Sequence, residues 1–187
     1  MDAEARTVDA LEKRTMTAIR VCLGVVIAGL VISGLTAFPL REELTLGSEV
    51  LHAVDAASWV PGLAAWVDSV ADALVVTGEQ YPFLAYGTDW LAFAHLLIAV
   101  AFIGPLRDPV RNIWVTQWGL IACAGIVPLA LIAGTVRGLP LGWQLIDISF
   151  GVVAAIPLTV VLVLTRRLEK TAPAGPRDPA VRMHPPD

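Results

Sequence analysis

Two ionisable residues of this chain, His95 and Asp147, fall within long apolar runs, where a charge is costly unless it is paired or used for proton or ion chemistry. Asp89 opens the run that holds His95, and Arg137 sits in the turn Thr135-Val136-Arg137-Gly138 just before the run that holds Asp147. An Arg placed between two carboxylates makes an ion-pair clamp that pins helix ends, helped by negative charge at a helix N-terminus. Asp89 and His95 do not share a face: six residues of helix turn the chain about 120° and advance it roughly 9 Å. His95 therefore needs a partner on another helix, with Gln144, Ser149 and Asp147 ahead of Gln117. The bland reading is a neutral imidazole hydrogen-bonded across a bundle. The chemical readings are a proton relay or an axial ligand to a metal or haem.

Asp89, His95, Arg137, Gln144 and Asp147, with Trp90 and Trp143 beside them, form the candidate ligand-binding pocket. A second, weaker set is Glu49, His52 and Asp55, whose three-residue spacing on a helix makes a loose surface metal site. No H-x-x-x-H, paired E-x-x-H or C-x-x-C motif strengthens it. A bis-His haem would need the segment around His52 to fold down beside His95. Ser48, Ser58, Ser69 and Ser149 lack a G-x-S-x-G setting, and phosphate loops and dinucleotide fingerprints are missing. The sequence implies no particular cofactor.

The elements that must position these residues follow from composition. The 187 residues are 56% hydrophobic and only 16% charged, and their mean hydropathy is +0.70. A soluble domain covers its surface with far more charge, so a single-core soluble enzyme is excluded, as is a disordered chain. A helix needs roughly 20 apolar residues to cross a hydrocarbon core of about 30 Å. The expected fold is an all-α integral membrane protein, a four-transmembrane-helix bundle with spans at 17–40, 89–106, 113–134 and 143–165. Pro105 caps the second span; Pro128 and Pro157 lie inside the third and fourth and predict bends. Short connections at 107–112 and 135–142 make spans two and three, and three and four, antiparallel neighbours.

Sidedness follows from Lys and Arg, which are retained on the cytoplasmic face. All of the 13 except Arg41 and Arg137 fall in residues 1–16, at Arg20, in the 107–112 turn or in residues 166–187. Both termini are thus expected in the cytoplasm, and the Ala- and Val-rich usage points to a bacterial inner membrane. The basic residues mark topology, and no nucleic-acid footprint accompanies them. A cleaved signal peptide is a poorer account of the first span, because its leader is long and Leu35 stands where a small residue is wanted. Cys22 and Cys123 both lie inside spans, which excludes a disulfide framework.

Residues 41–88 form the extracytoplasmic segment, read as two short amphipathic helices on the outer side between spans one and two. One covers about 47–57. The other starts at Pro61, suited to a first helical turn, and runs to about 76. Trp59, Trp66, Tyr81, Tyr86, Trp90 and Trp143 crowd this boundary as an aromatic belt. Small residues recur every fourth position at Gly24 and Ala28, at Gly29, Ser33 and Ala37, at Gly119 and Cys123, and at Gly151 and Ala155, as close helix packing requires. Residues 166–187 read as a disordered tail, and no internal repeat suggests a transporter.

Two functions remain open. One is a non-enzymatic binder or complex subunit whose outer pocket holds a lipid, a quinone or a small cation. The other is a membrane enzyme or proton-coupled carrier with His95 as acid-base group and Asp147 as its orienting carboxylate. Besides the lipid bilayer, the partners in view are other membrane subunits or further copies of the chain.

Overall fold

The computed structural model describes residues 2–171, with side chains from 9 to 170. Among these residues all regular structure is helical: α1 Asp2–Ala37, α2 Leu40–Ala53, α3 Pro61–Gln80, α4 Tyr86–Ala101, α5 Ile103–Arg107, α6 Ile113–Val136 and α7 Leu141–Thr171, with 3₁₀ turns at Ala56–Ser58 and Pro82–Ala85. Four stretches are long and apolar enough to cross a membrane: Asp9–Ala37, Pro82–Arg107, Ile113–Val136 and Leu141–Lys170. They mark a multi-pass membrane protein. Only 17–22% of the residues in each span's most apolar stretch are buried inside the protein, so most of the helical surface faces outward.

Several elements run further than their sequence signals. The segment 1–16 is not separate from the first span, since α1 is one helix from Asp2. At 36 residues it is roughly 54 Å long, well beyond the hydrocarbon thickness. α7 carries residues 166–171 as helix, which corrects the expectation of a tail there; residues 172–187 lie outside the described residues. α2 begins at Leu40, before the predicted 47, because Glu42 and Glu43 suit a first helical turn. α3 starts at Pro61 as expected and passes Gly78 to end at Gln80. Both α6 and α7 continue through their internal prolines, Pro128 and Pro157.

The packing order runs α4, α1, α7, α6, and α5 closes the ring at one end by touching α1 and α6. The α6–α7 pairing is the most extensive, as the short turn demands. α4, by contrast, packs chiefly on α1 rather than on its sequence neighbour α6. One contiguous apolar core forms, from Ile19, Leu23, Val26, Phe102, Val115, Leu158 and Val161. All of these lie in the halves of the helices nearest α5. Phe102, at the break between α4 and α5, is almost fully buried, and its ring rests on the backbone of α6 at Gly119. A Cβ there would stand 2.7 Å from Phe102 Cζ.

The glycines divide by environment. Gly34 faces the Ala92 carbonyl and Leu96 of α4, Gly119 faces Phe102 and Leu158, Gly134 faces Gln144, and Gly151 faces the Cys123 carbonyl and Ile126 of α6. Gly24 and Gly29, which belong to the small-residue stripe of the first span, have no such neighbour. That stripe is a surface of α1, not a helix contact.

Candidate functional site at the α2–α3 end

The ends of the spans remote from α5 carry the candidate pocket residues, and the α2–α3 hairpin lies over part of them. The α6–α7 turn is built around Gly138 at φ 71°, a left-handed position that glycine adopts without steric cost. Leu139 N–H donates to the Gly134 carbonyl at 2.9 Å, closing the helix end as a Schellman turn does. Gln144, 5% exposed, lies against Gly134, and its Nε2 donates to the Leu139 carbonyl at 2.9 Å. Its amide N–H is thus engaged in locking the hairpin. Arg137, next to this turn, is exposed.

His95 is half-buried on α4, and its Nδ1 lies 2.8 Å from the Leu91 carbonyl one turn earlier on the same helix. A carbonyl can only accept, so Nδ1 carries a hydrogen and Nε2 is the ring nitrogen left for another partner. The cross-helix partner expected for His95 is not found: Nε2 has none among the described residues. Asp89 and Asp147 are also half-buried, the first on α4 and the second on α7, two helices joined through α1. Among the described residues no ion pair links Asp89, Arg137 and Asp147, so the expected clamp is not made.

The two tryptophans of the set part company. Trp90 is 56% exposed and stands in a row of edge-to-face rings with Tyr86 at 6.1 Å and Phe93 at 6.0 Å. Trp143 packs instead on Trp66 of α3, with ring centroids 6.4 Å apart and planes tilted by 59°. This pair ties the hairpin to α7. Among the described residues, Trp66 Nε1 is buried there with no hydrogen-bond partner. Asp147, four residues beyond Trp143, lies on the same side of α7, one turn further along the span.

Inside the hairpin the structure makes a cluster that spacing along the chain did not reveal. Ser48 Oγ donates to Asp68 Oδ1 at 2.6 Å, and His52 Nε2 stands 3.6 Å from Asp68 Oδ2. His52 Nδ1 lies 2.9 Å from the Ser48 carbonyl. Ser48 and His52 share a face of α2, but Asp68 is 16 residues further on in α3, and only the folding back of the chain delivers it. The order of contacts is wrong for a nucleophile, because the serine hydrogen points to the carboxylate and the imidazole faces that carboxylate, not the hydroxyl.

The weak metal set is dispersed. Glu49 lines an open cavity of about 560 Å³ with Arg41, Glu42 and Thr45, whereas His52 and Asp55 line a separate one of about 180 Å³ with Asp68. Among the described residues no three His, Cys, Asp or Glu side chains converge as a metal site. Asp55 marks the tip of α2 with φ 50°, a left-handed conformation that aspartate tolerates better than most residues. The base of the hairpin is held by Arg41 and Glu79, 3.9 Å apart.

No family model matches the chain, and neither a curated protein nor a solved structure matches it.

Proposed function

We propose that this is a non-enzymatic membrane binder or complex subunit, with both termini in the cytoplasm and the α2–α3 hairpin on the opposite, outer side. Its polar groups on α4 and α7 receive the head of an amphiphile of the lipid or quinone type, or a small cation. The observation that carries this reading is that Asp147 and His95 Nε2, both within spans, have no partner among the described residues. Ionisable groups at that depth are matched by something, and what this chain does not supply must come from a ligand or a neighbouring subunit. The low burial of the spans agrees, since it leaves helix surface for such contacts. The asymmetry of Lys and Arg supports the assigned orientation.

The enzyme or carrier alternative asks Asp147 to orient His95. That geometry has no support, because Nδ1 of His95 is engaged by Leu91 of its own helix.

The test is mass spectrometry of the protein extracted with its native lipids, compared for the wild type, Asp147→Asn and His95→Ala. We expect the wild type to retain a lipid, a quinone, a cation or a partner chain that at least one variant loses, with the helical content unchanged. Identical bound material in all three proteins would overturn the proposal.

A further inference from the structure

We propose that the α2–α3 hairpin carries a proton-operated latch, formed by Ser48 and His52 of α2 and Asp68 of α3. His52 Nδ1 lies 2.9 Å from the Ser48 carbonyl. Because a carbonyl has no hydrogen to give, Nδ1 keeps its own in both charge states of the ring. The proton that comes and goes is therefore the one on Nε2, the nitrogen that faces Asp68 Oδ2 at 3.6 Å. A neutral ring turns a lone pair toward the carboxylate and forms no bond. An imidazolium turns an N–H toward it and forms a charge-assisted contact.

The surroundings favour this use. Water reaches the pair, since the His52 side chain is 66% exposed and that of Asp68 is 35% exposed. The ionisable groups that line the cavity beside His52 are Asp55 on its own side and Asp68 on α3, and both are acidic. The second oxygen of Asp68 is already held by Ser48 at 2.6 Å, which aims the carboxylate at the ring. α2 buries no side chain of its own, so its hold on α3 depends more than usual on these polar contacts. The Nε2 contact is present when the ring is charged and lost when it is neutral.

Asp68 lies two residues from Trp66, the hairpin's contact with Trp143. Release of α2 from α3 thus loosens the element that rests on α7. The latch is a property of the hairpin and does not rest on a ligand at Asp147 or His95.

The experiment is a distance measurement between spin labels at Leu46→Cys on α2 and Ala73→Cys on α3, both exposed positions. It uses the full chain in phosphatidylcholine nanodiscs, with Cys22 and Cys123 replaced by Ala, at about pH 5 and about pH 8. We expect a single short distance at the lower pH and a several-fold larger long-distance population at the higher one. His52→Ala should abolish the difference. His52→Gln, an uncharged donor at the same place, should hold one distribution at both pH values. An unchanged distribution in the wild type, or a pH response that survives in either His52 variant, would overturn the latch.

Discussion

At the α5 end of the bundle, Phe102 rests on Gly119, Leu158 and Val161 fill in behind it, and the 108–112 turn ties up its own polar groups. Asn112 Nδ2 donates to the carbonyls of Gly104 and Asp108, and Asp108 Oδ1 accepts from the Arg111 backbone N–H at 3.0 Å. The Thr165 hydroxyl departs from this pattern, being buried without a partner among the described residues. At the α2–α3 end the described residues form no cluster of comparable size, and the buried apolar side chains are small, such as Ala64, Val67, Ala71 and Ala92. Helices meet there through glycines, as at Gly34 and Ala92 or Gly134 and Gln144, while Asp89, Asp147 and Arg137 stay unpaired among the described residues. The hairpin touches α7 through a tilted tryptophan pair, and among the described residues Trp66 Nε1 is buried with no hydrogen-bond partner. The contrast concentrates packing at one end and leaves polar groups unconsumed by packing at the other.

The largest effect expected from this contrast is at Gly119. Gly119→Leu drives a side chain into Phe102 and Leu158, and should cost about 1–3 kcal/mol as overpacking does, read as a lowered Tm in detergent. Gly24→Leu, on a surface with nothing within 4 Å, should leave Tm unchanged. Equal losses from the two would break the division between core and surface glycines. A smaller effect is expected at the α6–α7 turn, where Gln144→Leu removes the bond to the Leu139 carbonyl and should cost about 1 kcal/mol. Faster hydrogen exchange confined to the end of α6 and the start of α7 would locate that loss. The smallest effect on the spans is expected from Trp66→Ala, which should speed proteolysis in the 54–60 loop of the hairpin with no change in Tm of the bundle. A Tm loss as large as that of Gly119→Leu would show that the hairpin is part of the core after all.

How much of this was legible in the sequence differs residue by residue. The turn around Pro109 and the α6–α7 hairpin are readable from short connections and turn residues, whereas Pro105, expected to cap the second span, lies inside α5 and the span runs on to Arg107. The α3 start at Pro61 was readable for the same reason, since a proline defines its own backbone geometry. Gly119, Cys123 and Gly151 of the small-residue stripes do lie in helix contacts, Gly24 and Gly29 do not, and Gly34 and Gly134, which belong to no such stripe, also meet a neighbouring helix. Among the candidate site residues, Trp143 gained a partner in Trp66, Gln144 proved to lock a turn, and His95 turned to its own helix. Asp68 could not have been singled out, because a carboxylate on an exposed helical face has the same local sequence whether or not a histidine is folded against it.

What the sequence alone determined is the number of apolar stretches and their helical form, because a backbone in hydrocarbon must satisfy its own N–H and C=O groups within each segment. That requirement is local and can be counted along the chain. Which faces of those helices meet was decided only by the tertiary structure. Lipid tails and a neighbouring leucine are equally apolar, so a stripe of glycines facing lipid and one facing a helix look alike in sequence. The partners of the polar residues were decided in the same way, since Asp68 reaches His52, and Trp66 reaches Trp143, only once the chain has folded back on itself.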